Sequence, residues 1–275
     1  MFLVQITFGP GDSDGDQCES LRDAAETYLC SLLRNGQIHG DYLLAWSNAQ
    51  LIGYTRVARP DSFAKGYHSQ CGVADLNKLI EAFGRDPQWW IIDDDVPERF
   101  PDWHDSSTLY LFTHAFDDAS PICCGDSGEP IPVYLLPISD QDRQGLYSWA
   151  GSYKDLDNVW LASGALEIPA YKQLADPTSD LSVTGRELCV RIENATKKPT
   201  YYYLTRYWGR NDGEATRPCP LCGGEWRLSD QNEDMTPFHK FQFKCDGCRL
   251  VSRIADSYED ERHARIGEYK QGEER

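Results

Sequence analysis

Near its C-terminus the chain reads Cys219-Pro-Leu-Cys222-Gly-Gly and then Cys245-Asp-Gly-Cys248, with twenty-two residues between Cys222 and Cys245. Two residues between thiolates let one tight turn aim both sulfurs at a single ion, and Gly223, Gly224 and Gly247 relieve strain in those turns. Two such knuckles supply four thiolates in a tetrahedron, the arrangement Zn²⁺ prefers. Rubredoxin-like iron and a pair of redox dithiols are the alternatives for the same spacing. Between the knuckles, Glu225 to Leu228 and Phe238 to Lys244 read as strands flanking a polar loop from Ser229 to Pro237, and Arg249 to Ala255 reads as a third strand. The order knuckle, strand, loop, strand, knuckle, strand predicts a zinc ribbon over 217–257. A shell of four protein ligands leaves no place for water or substrate, so one structural zinc is expected. Some forty residues bury too little to fold alone, whereas thiolate–zinc binding contributes about 10–16 kcal/mol in finger peptides.

Outward from the ribbon, Gly209 to Thr216 is polar and glycine-containing, which predicts a linker over 210–216 and sets off residues 1–209 as an α+β domain. Residues 258–275 read as a charged tail. Within 1–209, Phe2, Val4, Ile6 and Phe8 alternate as a strand does, and a Gly/Asp loop runs from Gly9 to Asp16. Leu21, Ala24, Ala25, Tyr28, Leu29, Leu32 and Leu33 recur at helical spacing and stop at Asn35-Gly36. Tyr42–Trp46 and Leu51–Val57 read as a hairpin about Ser47-Asn48-Ala49-Gln50. A helix over Ala74–Phe83 and strands at Trp89–Ile92 and Leu109–Thr113 follow. The order β-α-β-β-α-β is that of the ferredoxin-like motif. Pro121 to Pro130 is a loop by composition, leading to a strand at Ile131–Leu136. Ser139 with Asp142 forms an N-cap pair, ahead of an amphipathic helix carrying Leu146, Trp149, Tyr153, Leu156 and Trp160. A helix over Thr184–Asn194 and a tyrosine-rich strand over Thr200–Tyr207 complete the domain.

Composition narrows the function classes. The 275 residues carry 27 Lys and Arg against 44 Asp and Glu, a net charge of −17, with a pI near 4.7. A chain that holds nucleic acid by phosphate neutralisation normally shows a basic stripe and a high pI; here the acidity favours solubility or a basic partner protein. Residues 217–253 are the local exception, with six Lys or Arg and five Asp or Glu. There Arg227, Lys240, Lys244, Arg249 and Arg253 are the candidate nucleic-acid contacts, with Trp226 or a Phe at the edge of the platform. No apolar run is long enough for a membrane helix, and the N-terminus lacks the basic and apolar regions of a secretory signal. The ten cysteines of a long chain without an export signal fit a reducing cytoplasm, with thiolates held by metal.

The tail Cys-Pro-x-Cys-Gly-Gly-Glu-Trp … Phe-Lys-Cys-Asp-x-Cys-Arg-Leu-Val-Ser resembles an uncharacterised bacterial family whose description pairs a zinc ribbon with nucleic-acid binding. Pro130-Ile-Pro-Val-Tyr-Leu-Leu-Pro137, Leu146 to Trp160, Leu181 to Cys189 and Tyr201-Tyr-Tyr-Leu204 resemble its N-terminal part, so the likeness spans most of the chain. It implies zinc ligation by Cys219, Cys222, Cys245 and Cys248. It implies no reaction, since the family is a domain of unknown function.

For an enzyme, the one grouping available is Cys123-Cys124 with His104 and His114 upstream; a nucleophilic cysteine needs a neighbouring base that lowers its pKa. Asp93-Asp94-Asp95 could hold a hard cation but reads as a solvated turn. No P-loop, dinucleotide glycine fingerprint, His-Glu-x-x-His or Gly-x-Ser-x-Gly occurs. The expectation is therefore a cytoplasmic, non-enzymatic zinc protein whose acidic domain receives a basic protein partner, as an inhibitor, immunity-type protein or adaptor would. The alternatives are a nucleic-acid binder using the ribbon, and an enzyme centred on Cys123 or Cys124.

Overall fold

The computed structural model describes residues 1–11, 15–93, 100–229 and 239–270. The chain is mixed α+β with two sheets, and it divides into two compact units. The first comprises 1–100, 118–120 and 131–147; the second comprises 101–117, 121–130 and 148–275.

In the first unit the elements follow as β1 (Phe2–Pro10), α1 (Gly15–Arg34), β2 (His39–Ser47), β3 (Gln50–Val57), α2 (Gln70–Phe83) and β4 (Gln88–Asp93). The sheet order is β2-β3-β1-β4, with every neighbour antiparallel. The alternation read from the sequence decides which face is buried. Val4, Ile6 and Phe8 of β1 pack with Ala25, Tyr28, Leu29 and Leu32 of α1 and with Leu76 and Leu79 of α2. Helix α2 starts four residues earlier than the apolar spacing suggests, because Ser69 caps it by accepting from the Gly72 N–H at 3.1 Å. The hairpin loop is Asn48-Ala49, both at positive φ, 50° and 59°, as the right-handed strand twist requires. The strand expected at Ile131–Leu136 is instead a single 3₁₀ turn at Val133–Leu135. Pro130, Pro132 and Pro137 have no N–H to give a ladder. Tyr134 ties this stretch down through its hydroxyl, 2.9 Å from Ser62 Oγ.

The second unit is built on β5 (Leu109–Leu111), β6 (Ile122–Cys124), β7 (Thr200–Leu204), β8 (Phe243–Cys245) and β9 (Leu250–Ser252), in the order β6-β5-β7-β9-β8. β7 runs parallel to both β5 and β9, while β6 and β8 are antiparallel edges. All five residues of β7 are buried. A tyrosine run at the centre of a sheet covered on both faces needs a partner for each hydroxyl. Tyr203 donates to the Lys240 carbonyl at 2.7 Å and Tyr201 to Asp246 Oδ1 at 2.6 Å. Helices α3 (Asp140–Leu161), α4 (Glu167–Ala175) and α5 (Asp180–Thr196) complete the fold; the first two turns of α3 count with the first unit. Ser139 accepts from the Asp142 N–H at the start of α3, as read, and Trp149 and Tyr153 of its apolar stripe are buried. α5 starts at its Ser179 cap rather than at Thr184. It lies so close to β7 that a Cβ on Gly185 would fall 2.4 Å from the Tyr202 ring.

The expected division at 210–216 is not where the chain divides. Residues expected to form a separate ribbon supply two of the five strands of the second sheet, and β9 pairs directly with β7. The polar stretch read as a linker contains Glu214, buried at 4% exposure and paired with Arg206, equally buried, at 3.1 Å. The stretch read as a charged tail is also partly packed as far as Glu268. Ala264 is fully buried against Tyr171, Ala175 and Trp208, and Glu268 lies 3.5 Å from Arg206. Polar composition misled at both places, because buried ion pairs, joined in the tail by Ala264 and Ile266 in an apolar cluster, fix these segments.

Candidate metal centre

The first knuckle follows from local backbone bonds. Gly223 N–H donates to the Cys219 carbonyl and Cys219 N–H to the Gly224 carbonyl, each at 2.8 Å. Gly223 takes φ 72°, and a Cβ there would lie 2.7 Å from the Tyr269 ring, so both the turn and the packing require glycine. Trp226 anchors the knuckle by donating its indole N–H to the Arg217 carbonyl at 2.9 Å. Arg217 is itself buried, its guanidinium 4.7 Å from the Trp226 ring centre and 4.2 Å from that of Phe243, with Glu214 at 3.1 Å. Burial brings the Arg217 pKa down to about 10.

The second knuckle is the turn joining β8 to β9. Arg249, at φ 52°, donates from Nη1 to the Asp246 carbonyl at 2.7 Å. Its Nε and Nη2 both donate to the Glu193 carboxylate of α5 at 2.8 Å. These bonds hold the Glu193 carboxyl below the usual range, and the Tyr201 hydroxyl does the same for Asp246. The second knuckle is thus stapled to α5 and β7.

Together the knuckles bring the four sulfurs of Cys219, Cys222, Cys245 and Cys248 within 4.8 Å of one another. Cys222 and Cys245 are 3.8 Å apart at Sγ. A tetrahedron with metal–sulfur bonds of about 2.3 Å has edges of about 3.8 Å, whereas a disulfide needs about 2.05 Å. Among the described residues this is the one group of His, Cys, Asp or Glu side chains placed to hold a metal ion. The cysteines are unequal as thiols. The Gly224 N–H on Cys222 brings it down to about 7, while burial raises Cys219 to about 11 and raises Cys248 as well. Cys222 is the readiest to give up its proton to an arriving cation.

The five cations named from the sequence do not form one face. Lys244 lies over the Tyr201 ring at 4.8 Å with Asp246 at 3.7 Å, and Arg249 lies over the same ring at 5.5 Å while held by Glu193. Arg227 lies over Phe243 at 5.0 Å; Phe243 and Lys244 are adjacent in a strand and so point to opposite faces. Arg253 pairs with Asp256 at 2.6 Å. The strand read over Arg249 to Ala255 is shorter, Leu250–Ser252, and its residues do not alternate in burial: Leu250, Val251 and Ser252 are all buried. Among the described residues Lys240 and Arg227 have no acidic partner within 4 Å. The holding residues Glu214, Arg206, Arg217, Glu193 and Asp246 were not singled out from the sequence; the Trp226 beside the first knuckle was the one available signal.

Cys123 and Cys124 lie in β6, both buried. Burial pushes the Cys123 thiol well up, the opposite of what activates a nucleophile. His104 is engaged with Asp102, Nδ1 to Oδ1 at 2.6 Å, and His114 Nδ1 accepts from the Phe116 N–H at 3.3 Å. Asp93 ends β4, while Asp94 and Asp95 fall outside the described residues, as do Phe238 and the loop from Asp230 to Pro237. No described helix is long and apolar enough to cross a membrane.

The family profile described as "Domain of unknown function (DUF2310)" matches residues 104–205, and "Domain of unknown function (DUF8594)" matches 209–258. The junction between them runs through one sheet, since β7 lies in the first match and β8 and β9 in the second. An uncharacterised protein of Haemophilus influenzae (strain Rd) is 32% identical over 219 residues, covering 78% of this chain and 98% of that protein. Another uncharacterised protein of the same organism is 37% identical over 147 residues, covering 53% of this chain and 54% of its own length. No solved structure gives a match. With this likeness running over nearly the whole of the first relative, the chain belongs to the family of uncharacterised proteins marked by these two domains of unknown function.

Proposed function

We propose that this is a non-enzymatic protein in which one structural zinc, held by Cys219, Cys222, Cys245 and Cys248, completes a zinc ribbon, and whose acidic surface receives a basic protein partner. The observation that carries the metal reading is the four-sulfur cluster with its 3.8 Å edge. All four donors are soft thiolates, which suits zinc over hard cations. The zinc supplies cross-linking and no reaction step; the chain's own residues hold the thiolates through backbone N–H groups and the Arg249–Glu193 staple. The N-terminal unit is read as a ferredoxin-like module, supported by its element order and its strand order 2-3-1-4. Support for a protein partner comes from charge: the net −17, with three of the five candidate nucleic-acid cations already engaged by acids. The non-enzymatic and cytoplasmic readings remain part of this proposal, and the buried, raised Cys123 thiol counts against an enzyme centred on it.

Metal analysis of the purified chain should find one zinc, lost in both Cys222→Ser and Cys245→Ser; iron, or full occupancy in both variants, overturns the assignment. Partners retained by the tagged chain at roughly 50 mM salt, released by roughly 300 mM and indifferent to nuclease are expected for the protein reading. Nucleic-acid binding through Lys240 and Arg227, the two of the five candidate cations that no described acid engages within 4 Å, is the second reading. With about two phosphate contacts its affinity would fall with log salt at a slope of only about −1.4 on single strands.

A further inference from the structure

The first unit contains a cavity of about 310 Å³ that the metal centre does not use. This is the lower end of the size range for small-molecule sites. Its walls come from four elements: Ile6 of β1, Tyr28 of α1, Leu76 of α2 and Trp89 of β4, with Phe63 from the preceding loop. Phe63 and Trp89 contact each other with ring centres 5.3 Å apart. The Tyr28 hydroxyl is turned aside to His68 Nε2 at 2.9 Å, leaving the ring as wall. Apolar and aromatic side chains therefore form much of its wall, while polar groups make up a comparable share of the lining.

Two charges also line it. Lys65 Nζ and Asp86 Oδ1 are 2.8 Å apart, and both side chains are well exposed, so water already competes for this pair and its opening costs little. A ligand carrying only a negative charge would meet Lys65 but also the Asp86 carboxylate, and a cation would meet the reverse conflict. A ligand with adjacent opposite charges satisfies both: its carboxylate on Lys65, its ammonium on Asp86. Its apolar part would enter the space between Ile6, Leu76, Phe63 and Trp89. We infer that this cavity binds a zwitterionic α-amino acid with an apolar side chain.

The test uses the full-length, zinc-loaded chain titrated with L-leucine and L-phenylalanine by calorimetry and by the Trp89 indole N–H resonance, identified by its loss in Trp89→Phe. Binding is expected with both amino acids. L-leucinamide and N-acetyl-L-leucine, each lacking one charge, should bind at least about tenfold more weakly, and glycine, lacking the apolar part, likewise. Lys65→Ala and Asp86→Asn, both at exposed positions, should each weaken leucine by about tenfold and leave the zinc content unchanged. No binding of either amino acid up to roughly 20 mM overturns the inference. Equal binding of leucine and its two singly charged derivatives overturns it as well, since that would make the site a hydrophobic cavity indifferent to charge.

Discussion

Ala49 holds a left-handed backbone at φ 59° in the two-residue turn between β2 and β3, a conformation that costs an L-residue with a Cβ about 1–2 kcal/mol. Ala49→Gly should stabilise the first unit by about 1 kcal/mol, net of the extra chain entropy that glycine brings to the unfolded state. A denaturant midpoint that falls instead would show the turn to be held by other contacts. His68 sets a pH dependence in the same unit. Burial holds its pKa below the ordinary 6.5. Below that value the unfolded chain therefore takes up a proton that the folded one resists. Stability is full above about pH 6.5 and is lost as the pH falls from there through the folded pKa. Urea midpoints at successive pH values between 7.5 and 5.5 should decline, and His68→Gln should flatten that decline.

Glu214 shows how one polar residue decides an element. It is buried with Arg206 and Arg217, and Glu214→Gln leaves two buried guanidinium groups short of charge. The expected loss is about 3 kcal/mol in the second unit, read by hydrogen exchange at β7 and β9. The sequence contained Glu214, but a lone acid between Gly213 and Ala215 carries no sign of its partners, one of them eight residues before it. The elements that were legible are those whose apolar spacing is itself the cause of their burial: β1, α1, α2 and α3, and the two cysteine knuckles. α4 was not foreseen; it carries Pro169 in its first turn, where a proline removes no hydrogen bond. β9 was foreseen as a strand but not as a partner of β7. The expected arginines lie outside the strand, and Leu250, Val251 and Ser252 are all buried.

At the scale of the molecule, the four-cysteine cluster belongs to a large unit and not to an appended finger. Stripping the metal with a chelator should therefore loosen β5, β7 and α5 together with β8 and β9, while the first unit, with its own core around Val4, Ile6 and Phe8, keeps its amide protection. Truncation after Gly213 should leave the first unit folded and the rest of the second unit unable to form its sheet. A truncated chain that retained protection at Tyr201 to Tyr203 would show that β7 does not need β9.

The parallel pairing of β7 with β9 fixes when the second unit can fold during synthesis. β7 begins at Thr200 and β9 at Leu250, about 50 residues later, and a ribosome adding about 5–20 residues per second needs roughly 2.5–10 s to cover them. For that interval the tyrosine strand emerges with one edge open, and until Cys248 is made the four-cysteine cluster lacks its full set of sulfurs. The nascent chain thus carries an aggregation-prone edge that only its last segment closes, so chaperone occupancy on translating ribosomes should peak between the emergence of Tyr203 and that of Ser252.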